Sequence, residues 1–72
     1  MKEKNRKMIA LSLEMIRIGK RMETERRELE KLVQAGLDFE SPEIRAALER
    51  YLREKAAWEA AERVYLALRD SE

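Results

Sequence analysis

Apolar residues in the first half of the chain recur at alternating intervals of three and four, the spacing of one face of a long helix. This set, interrupted once by Glu25, comprises Met8, Leu11, Met15, Ile18, Met22, Leu29 and Leu32. In the second half, large rings recur every seven residues at Tyr51, Trp58 and Tyr65. On the same helical face lie Ile44, Ala47, Leu48, Ala61 and Leu68. The pattern predicts two long helices, at about residues 3–35 and 42–69.

Signals for ending one helix and starting the next meet near the middle of the chain. Gly36 suits the left-handed residue that follows a helix C-terminus, and Leu37 suits the apolar contact of a Schellman ending. Ser41 is a preferred N-cap residue, and Pro42 is favoured at the first helical position. These signals predict an inter-helix loop at residues 36–41.

A loop this short requires the two helices to run antiparallel. We therefore predict an all-α fold, with residues 1–72 forming a single domain that is a two-helix antiparallel hairpin. Facing positions should have residue numbers that add to about 77, the value for Gly36 and Ser41. This register places Leu29 opposite Leu48 and Met22 near Lys55. Glu25 and Lys55, both near the midpoint, are a candidate ion pair. Phe39, within the loop, is expected to cover that end of the hairpin.

A second set of apolar residues lies outside the predicted contact between the helices, at the open end of the hairpin. The predicted interaction surface consists of Ile9, Leu13, Ile16, Ala60, Val64 and Leu66. A single hairpin cannot cover both sets, and an exposed apolar patch of several hundred Å² normally marks a contact surface. We expect a homodimer that forms a four-helix bundle, because closed two-fold dimers are the commonest assemblies. A different protein bound at the open end is the alternative.

Composition restricts the chemistry that the chain can perform. The 72 residues include no Cys and no His, which excludes disulfides, thiol nucleophiles, imidazole catalysis and the usual zinc sites. Glu25 is the only carboxylate expected to approach the helix contact, and no His accompanies it as in di-metal bundles. We expect no enzymatic activity, no cofactor and no metal.

Charge is divided unevenly along the chain. Residues 1–35 carry ten Lys and Arg against six Glu, net +4, and residues 36–72 carry six against nine acids, net −3. Candidate phosphate contacts on the first helix are Arg17, Lys20, Arg21, Arg27 and Lys31. Nucleic-acid binding through this basic face is therefore an alternative function. A solvated face is favoured instead, because glutamates alternate with the basic residues and no aromatic residues are interspersed for base stacking.

No segment approaches the roughly 20 apolar residues needed to span a bilayer. The basic start and the apolar run at 8–13 imitate a secretory signal, but Glu14 and Arg17 cut that run short. We therefore expect a cytoplasmic protein.

One stretch, Leu29–Trp58, resembles a known family in the pairs Leu32-Val33 and Gly36-Leu37 and in the run 41–44, Ser-Pro-Glu-Ile. It looks like the helical hairpin of the sporulation-regulating aspartyl-phosphate phosphatases. Those proteins carry Ser-Gln-x-x-Asp on the second helix, where this chain has Leu48, Glu49 and Leu52. The resemblance implies a small regulator of response-regulator signalling as a further alternative, with no functional residue carried over. The expected function is a non-catalytic interaction or regulatory module that acts through self-association or helix-mediated partner binding.

Overall fold

The computed structural model describes residues 2–71, which form two helices joined by a short loop. Helix α1 spans Glu3–Gln34 and helix α2 spans Pro42–Asp70. The helices pack along their length in an antiparallel hairpin, so the predicted all-α fold is confirmed. The predicted helix ends agree with the observed ones to within one residue.

The end of α1 is a Schellman motif, as predicted. Gly36 has a φ of +84°, where a side chain would strain the backbone. The Leu37 N–H donates to the Leu32 carbonyl at 3.3 Å, and the Gly36 N–H donates to the Val33 carbonyl at 3.0 Å. These two bonds satisfy carbonyls that the helix end would otherwise leave unpaired.

The start of α2 also satisfies its own backbone groups. The Ser41 hydroxyl accepts a hydrogen bond from the Ile44 N–H at 3.3 Å, and Pro42 begins the helix. Within the loop, the Asp38 carboxylate accepts from the Glu40 N–H at 3.1 Å. The loop end of the hairpin is therefore fixed by hydrogen bonds among neighbours in sequence.

The contact between the helices, which we call the inter-helix seam, is formed by the two predicted heptad sets, except for Leu48. Ile18, Ile44 and Ala47 are the buried residues of the part of the chain that the structure describes. Leu48 is 40% exposed and Phe39 is 68% exposed, so neither covers the seam as predicted. Leu48 lies about 100° around α2 from Ala47, on a side that a two-helix layer leaves open.

Two ion pairs between the helices lie within about two residues of the predicted register. Arg21 Nε lies 2.9 Å from Glu54 Oε2, and Arg50 Nε lies 2.9 Å from Glu25 Oε2. The residue numbers of each pair add to 75 rather than 77. Glu25 is therefore paired with Arg50 and not, as expected, with Lys55.

The other side of the contact follows the predicted register. Gly19 and Trp58 border a common section of the surface, as do Ser12 and Tyr65, and the residue numbers of each of these pairs add to 77. Residues 35–41 form the connection between the helices.

The resulting molecule is a rod, with principal extents of 51 × 16 × 13 Å. Its radius of gyration is 16.2 Å, whereas a compact domain of 72 residues has about 11 Å. Both broad sides of the hairpin therefore remain accessible along almost the whole length of the helices.

Candidate interaction surface

A shallow groove runs along one side of the hairpin, between α1 and the aromatic residues of α2. Its α2 wall is Tyr51, Trp58 and Tyr65, which follow one another at intervals of seven residues and are all half-buried. Ser12 and Gly19 of α1, also seven residues apart, lie opposite these rings. Residues seven apart recur at nearly the same angle on a helix, so the spacing in the sequence produces a continuous groove.

The groove is open because the residues opposite the rings are small. Its central section has a volume of about 420 Å³ and is bordered by Met15 and Ile16 as well as by Trp58. A Cβ added to Gly19 would meet nothing within 4 Å. The Ser12 hydroxyl donates to the Met8 carbonyl at 2.8 Å, so its polar group is already satisfied. The section of the groove between Ser12 and Gly19 is therefore open and largely apolar.

The groove was not predicted from the sequence, although a signal for it was present. By residue type alone, neither Gly19 nor Ser12 indicates a groove, because a single glycine or serine is tolerated within a long helix. Their spacing of seven, matched to the spacing of seven of the rings on α2, is the pattern that indicates a groove beside the inter-helix seam.

Three predicted surface residues of α1 form what we call the outer stripe: Ile9, Leu13 and Ile16. Their exposed fractions are 49%, 52% and 55%. Ile9 and Leu13 border the groove at its open end together with Tyr65, and Ile16 borders its central section. The outer stripe and the groove are therefore one continuous apolar surface.

The structure does not bring the predicted residues of α2 to the same surface. Val64 is 51% exposed and Ala60 is also exposed. At about 100° per residue they lie on the side of α2 away from the groove, some 100° to 140° around the helix from Tyr65. Leu66 is half-buried. The predicted surface is thus divided into the outer stripe of α1 and a separate, smaller apolar side of α2.

Apolar residues are exposed near the loop as well, contrary to the expectation that the excess would lie at the open end. Large exposed side chains in the loop half of the hairpin are Val33, Phe39, Leu48 and Leu52. A hairpin of two helices has no third layer to cover either end, so apolar side chains stay accessible along the whole rod.

The candidate phosphate contacts are mostly engaged with carboxylates. The ion pairs are Arg17–Glu14 at 3.5 Å, Arg21–Glu54 at 2.9 Å, Arg27–Glu23 at 3.3 Å and Lys31–Glu28 at 3.5 Å. Lys20 is exposed. Four of the five cations thus have an acidic partner, which reduces the positive potential available to a phosphate backbone.

A cluster of charges lies at the loop-side end of the groove. The hydrogen bond from Arg26 is the main cause that lowers the pKa of Glu23. Desolvation, the next largest effect, opposes it, and attraction to Arg26 and Arg27 adds to the lowering. The same hydrogen bond raises the pKa of Arg26, which also contacts Glu30. Both shifts favour the charged forms, as expected for a network of ion pairs rather than for a proton-transfer site.

Within residues 2–71, no group of three or more acidic side chains is arranged to hold a metal ion. Neither helix, over the residues that the structure describes, is long and apolar enough to cross a membrane. Comparison with protein-family models, with curated proteins and with solved structures finds no match. Glu49, the only polar residue at the positions compared with the phosphatase signature, is exposed on α2. That resemblance stays a prediction.

Proposed function

We propose that this hairpin is a non-catalytic helical interaction module that acts by self-association, most simply as a two-fold dimer. The observation that carries the proposal is the accessible surface of the single chain, which is 5632 Å². A folded monomer of 8.6 kDa has about 4,700 Å². The hairpin therefore exposes roughly 900 Å² more than a monomer of its mass.

The size of this excess matches what a dimer removes. A standard protein–protein interface buries about 800 Å² on each partner. The chemistry also fits, because eight large apolar side chains are exposed in residues 2–71 and three residues are buried. Burial of such side chains against a second molecule contributes about 25 cal/mol for each Å² of apolar surface. Association thus offers a stabilisation that the isolated chain cannot obtain internally.

Sedimentation equilibrium at micromolar concentrations tests the proposal directly. We expect a mass of about twice 8.6 kDa. We also expect the thermal midpoint, followed by circular dichroism, to rise with protein concentration, because mass action favours the folded dimer. A fully helical monomer whose midpoint does not change with concentration would overturn the proposal.

The alternative functions have less support from the geometry. Binding to nucleic acid would use the basic side of α1, where Lys20 is exposed but Arg21 is held by Glu54. Salt-sensitive binding to DNA or RNA that is lost in the double variant Lys20→Glu, Arg21→Glu would favour that function over ours. Dephosphorylation of a response regulator that depends on Glu49 would favour the phosphatase alternative. We further propose a cytoplasmic location, with which a chain that has no Cys is compatible.

A further inference from the structure

The outer stripe has a symmetric arrangement of side chains along α1. Ile9 and Ile16 are equally distant from the point between Ser12 and Leu13. All three members are about half exposed, so none is needed to complete the inter-helix seam. A two-fold interface requires a surface that is complementary to itself, and a stripe with this symmetry meets that requirement when two copies run antiparallel.

We infer, on the basis of the proposed self-association, that the second copy docks through the outer stripe, with the two α1 helices antiparallel and the two-fold axis between Ser12 and Leu13. Ile9 of each protomer then lies level with Ile16 of the other. The two Leu13 side chains meet beside the axis, and the small Ser12 residues lie on the groove side. The contact has a central apolar layer made only of residues that the hairpin leaves exposed.

The residues that flank the outer stripe suit the rim of this interface. In the antiparallel register, Lys2 of one α1 is level with Glu23 of the other, and Asn5 is level with Lys20. Lys2, Asn5 and Lys20 are exposed and Glu23 is half-buried. A polar and partly complementary rim around an apolar centre is the usual organisation of protein interfaces.

The other apolar side of the open end is a weaker candidate. On α2 the exposed residues are Ala60, Val64 and Ala67, which offer less apolar surface than two isoleucines and a leucine. The outer stripe also continues into the groove bordered by Trp58 and Tyr65. The α1 side can therefore bury more apolar surface per copy, which favours it as the interface.

Single-cysteine cross-linking tests the inference, because the chain has no Cys of its own. Leu13→Cys and Val64→Cys are matched probes, with parent side chains 52% and 51% exposed at the same end of the rod. Under mild oxidation at about 10 µM protein, we expect Leu13→Cys to form a disulfide-linked dimer about a hundredfold faster, because a contact at the axis raises the effective concentration to about 1 mM. Circular dichroism of both variants verifies that they fold alike.

A distance measurement tests the antiparallel direction independently. Spin labels attached at Glu28→Cys should lie about 45 Å apart along the paired helices, from a rise of 1.5 Å per residue on each side of the axis. A parallel pair would bring them within about 10 Å, the spacing of packed helices. Equal disulfide rates for the two cysteine probes, or a short label distance, would overturn the inference. A wild-type chain that still sediments as a dimer would then leave the proposed function standing, whereas a wild-type monomer would overturn both.

Discussion

The loop end and the open end of the hairpin differ in how their residues are stabilised. Near the loop, Ile44 and Ala47 are 1% and 0% exposed, and hydrogen bonds at Gly36 and Ser41 fix the chain on both sides. Toward the open end, no described side chain in residues 2–17 or 48–71 is buried. The loop end of the rod thus has a small buried core and the outer part of the open end has none, although both ends expose large apolar side chains.

The contrast shows that two helices of this length are unequally supported. Close to the turn, the connection holds the helices together at little entropic cost, and apolar side chains there can be buried completely. Far from the turn, each helix has a single neighbour and half of its apolar side chains face water. We therefore expect substitutions near the loop to change the stability of the chain, and substitutions at the outer stripe to change its association.

The largest effect should come from Ile44→Ala. Removal of this fully buried side chain should lower the free energy of unfolding by about 3 kcal/mol, through lost burial and the cavity that remains. Urea unfolding followed by circular dichroism measures the loss. Leu48→Ala, where the side chain is 40% exposed, is the control and should cost about 1 kcal/mol or less. Equal losses would show that the buried Ile44 contributes no more to the stability of the chain than the exposed Leu48.

Ile16→Glu should have the next largest effect, and it should act on the dimer. Two like charges placed near the two-fold axis, in an apolar contact, should weaken dimerisation at least about a hundredfold, or roughly 2.7 kcal/mol. Val64→Glu is matched in exposure and lies on the other side of the rod, so it should leave the dimer intact. Sedimentation equilibrium separates the two outcomes. Dissociation by Val64→Glu alone would assign the interface to α2.

The two glycines should respond to alanine with opposite signs. Gly36→Ala forces a side chain into the left-handed region and should cost about 1 to 2 kcal/mol. Gly19→Ala lies within α1, where a Cβ meets nothing, and should stabilise the helix by up to about 1 kcal/mol. Thermal unfolding of both variants tests the pair. A loss of stability at Gly19 equal to that at Gly36 would mean that a close contact occupies the groove.

Ser41→Ala should cost about 1 kcal/mol, because the Ile44 N–H loses the hydroxyl that caps α2. Ser41→Asp keeps an oxygen acceptor at this position and should retain most of the stability. Urea unfolding measures both changes. An Asp variant as unstable as the Ala variant would argue against the cap as the cause.

The smallest expected effect concerns pH. The pKa of Glu23 is lowered by Arg26 in the folded chain. The contribution of Glu23 to the free energy of unfolding is therefore complete above the ordinary glutamate pKa of about 4.3. That contribution should be lost as the pH falls through the lowered folded value. Thermal midpoints of Glu23→Gln and of the wild-type chain should therefore converge in acid. If the difference in thermal midpoint between Glu23→Gln and the wild-type chain did not change with pH, the lowered pKa of Glu23 would be contradicted.

The parts of the fold that could be predicted depend on neighbours in sequence. Gly36, Ser41 and Pro42 specify the end of one helix and the start of the next by backbone geometry and capping, so the helix ends were predicted to within one residue. The face that each helix buries follows from heptad spacing. Both are properties that a few consecutive turns determine by themselves.

The parts that could not be predicted depend on the relative position of the two helices. Heptad spacing placed Leu48 in the seam, but a two-helix layer is too narrow to cover a side chain at that angle. Heptad spacing did not identify Arg50 as the partner of Glu25, because the angle of each side chain around its helix, as well as its level along the helix, decides which charges meet. The prediction of one surface from Ile16 and Val64 assumed that residues at the same end share a side, which the angle around each helix decides.

The two ion pairs Arg21–Glu54 and Glu25–Arg50 affect how the two helices align along their axes. Each helix contributes an arginine followed four residues later by a glutamate. Because the helices are antiparallel, each arginine faces the glutamate of the other helix. If α2 slipped by one helical turn in one direction, Arg21 would face Arg50, and in the other direction Glu25 would face Glu54. Both slips exchange an attraction for a repulsion. The two surface ion pairs add little to the stability of the chain, but they favour one alignment of the helices over alignments shifted by one helical turn.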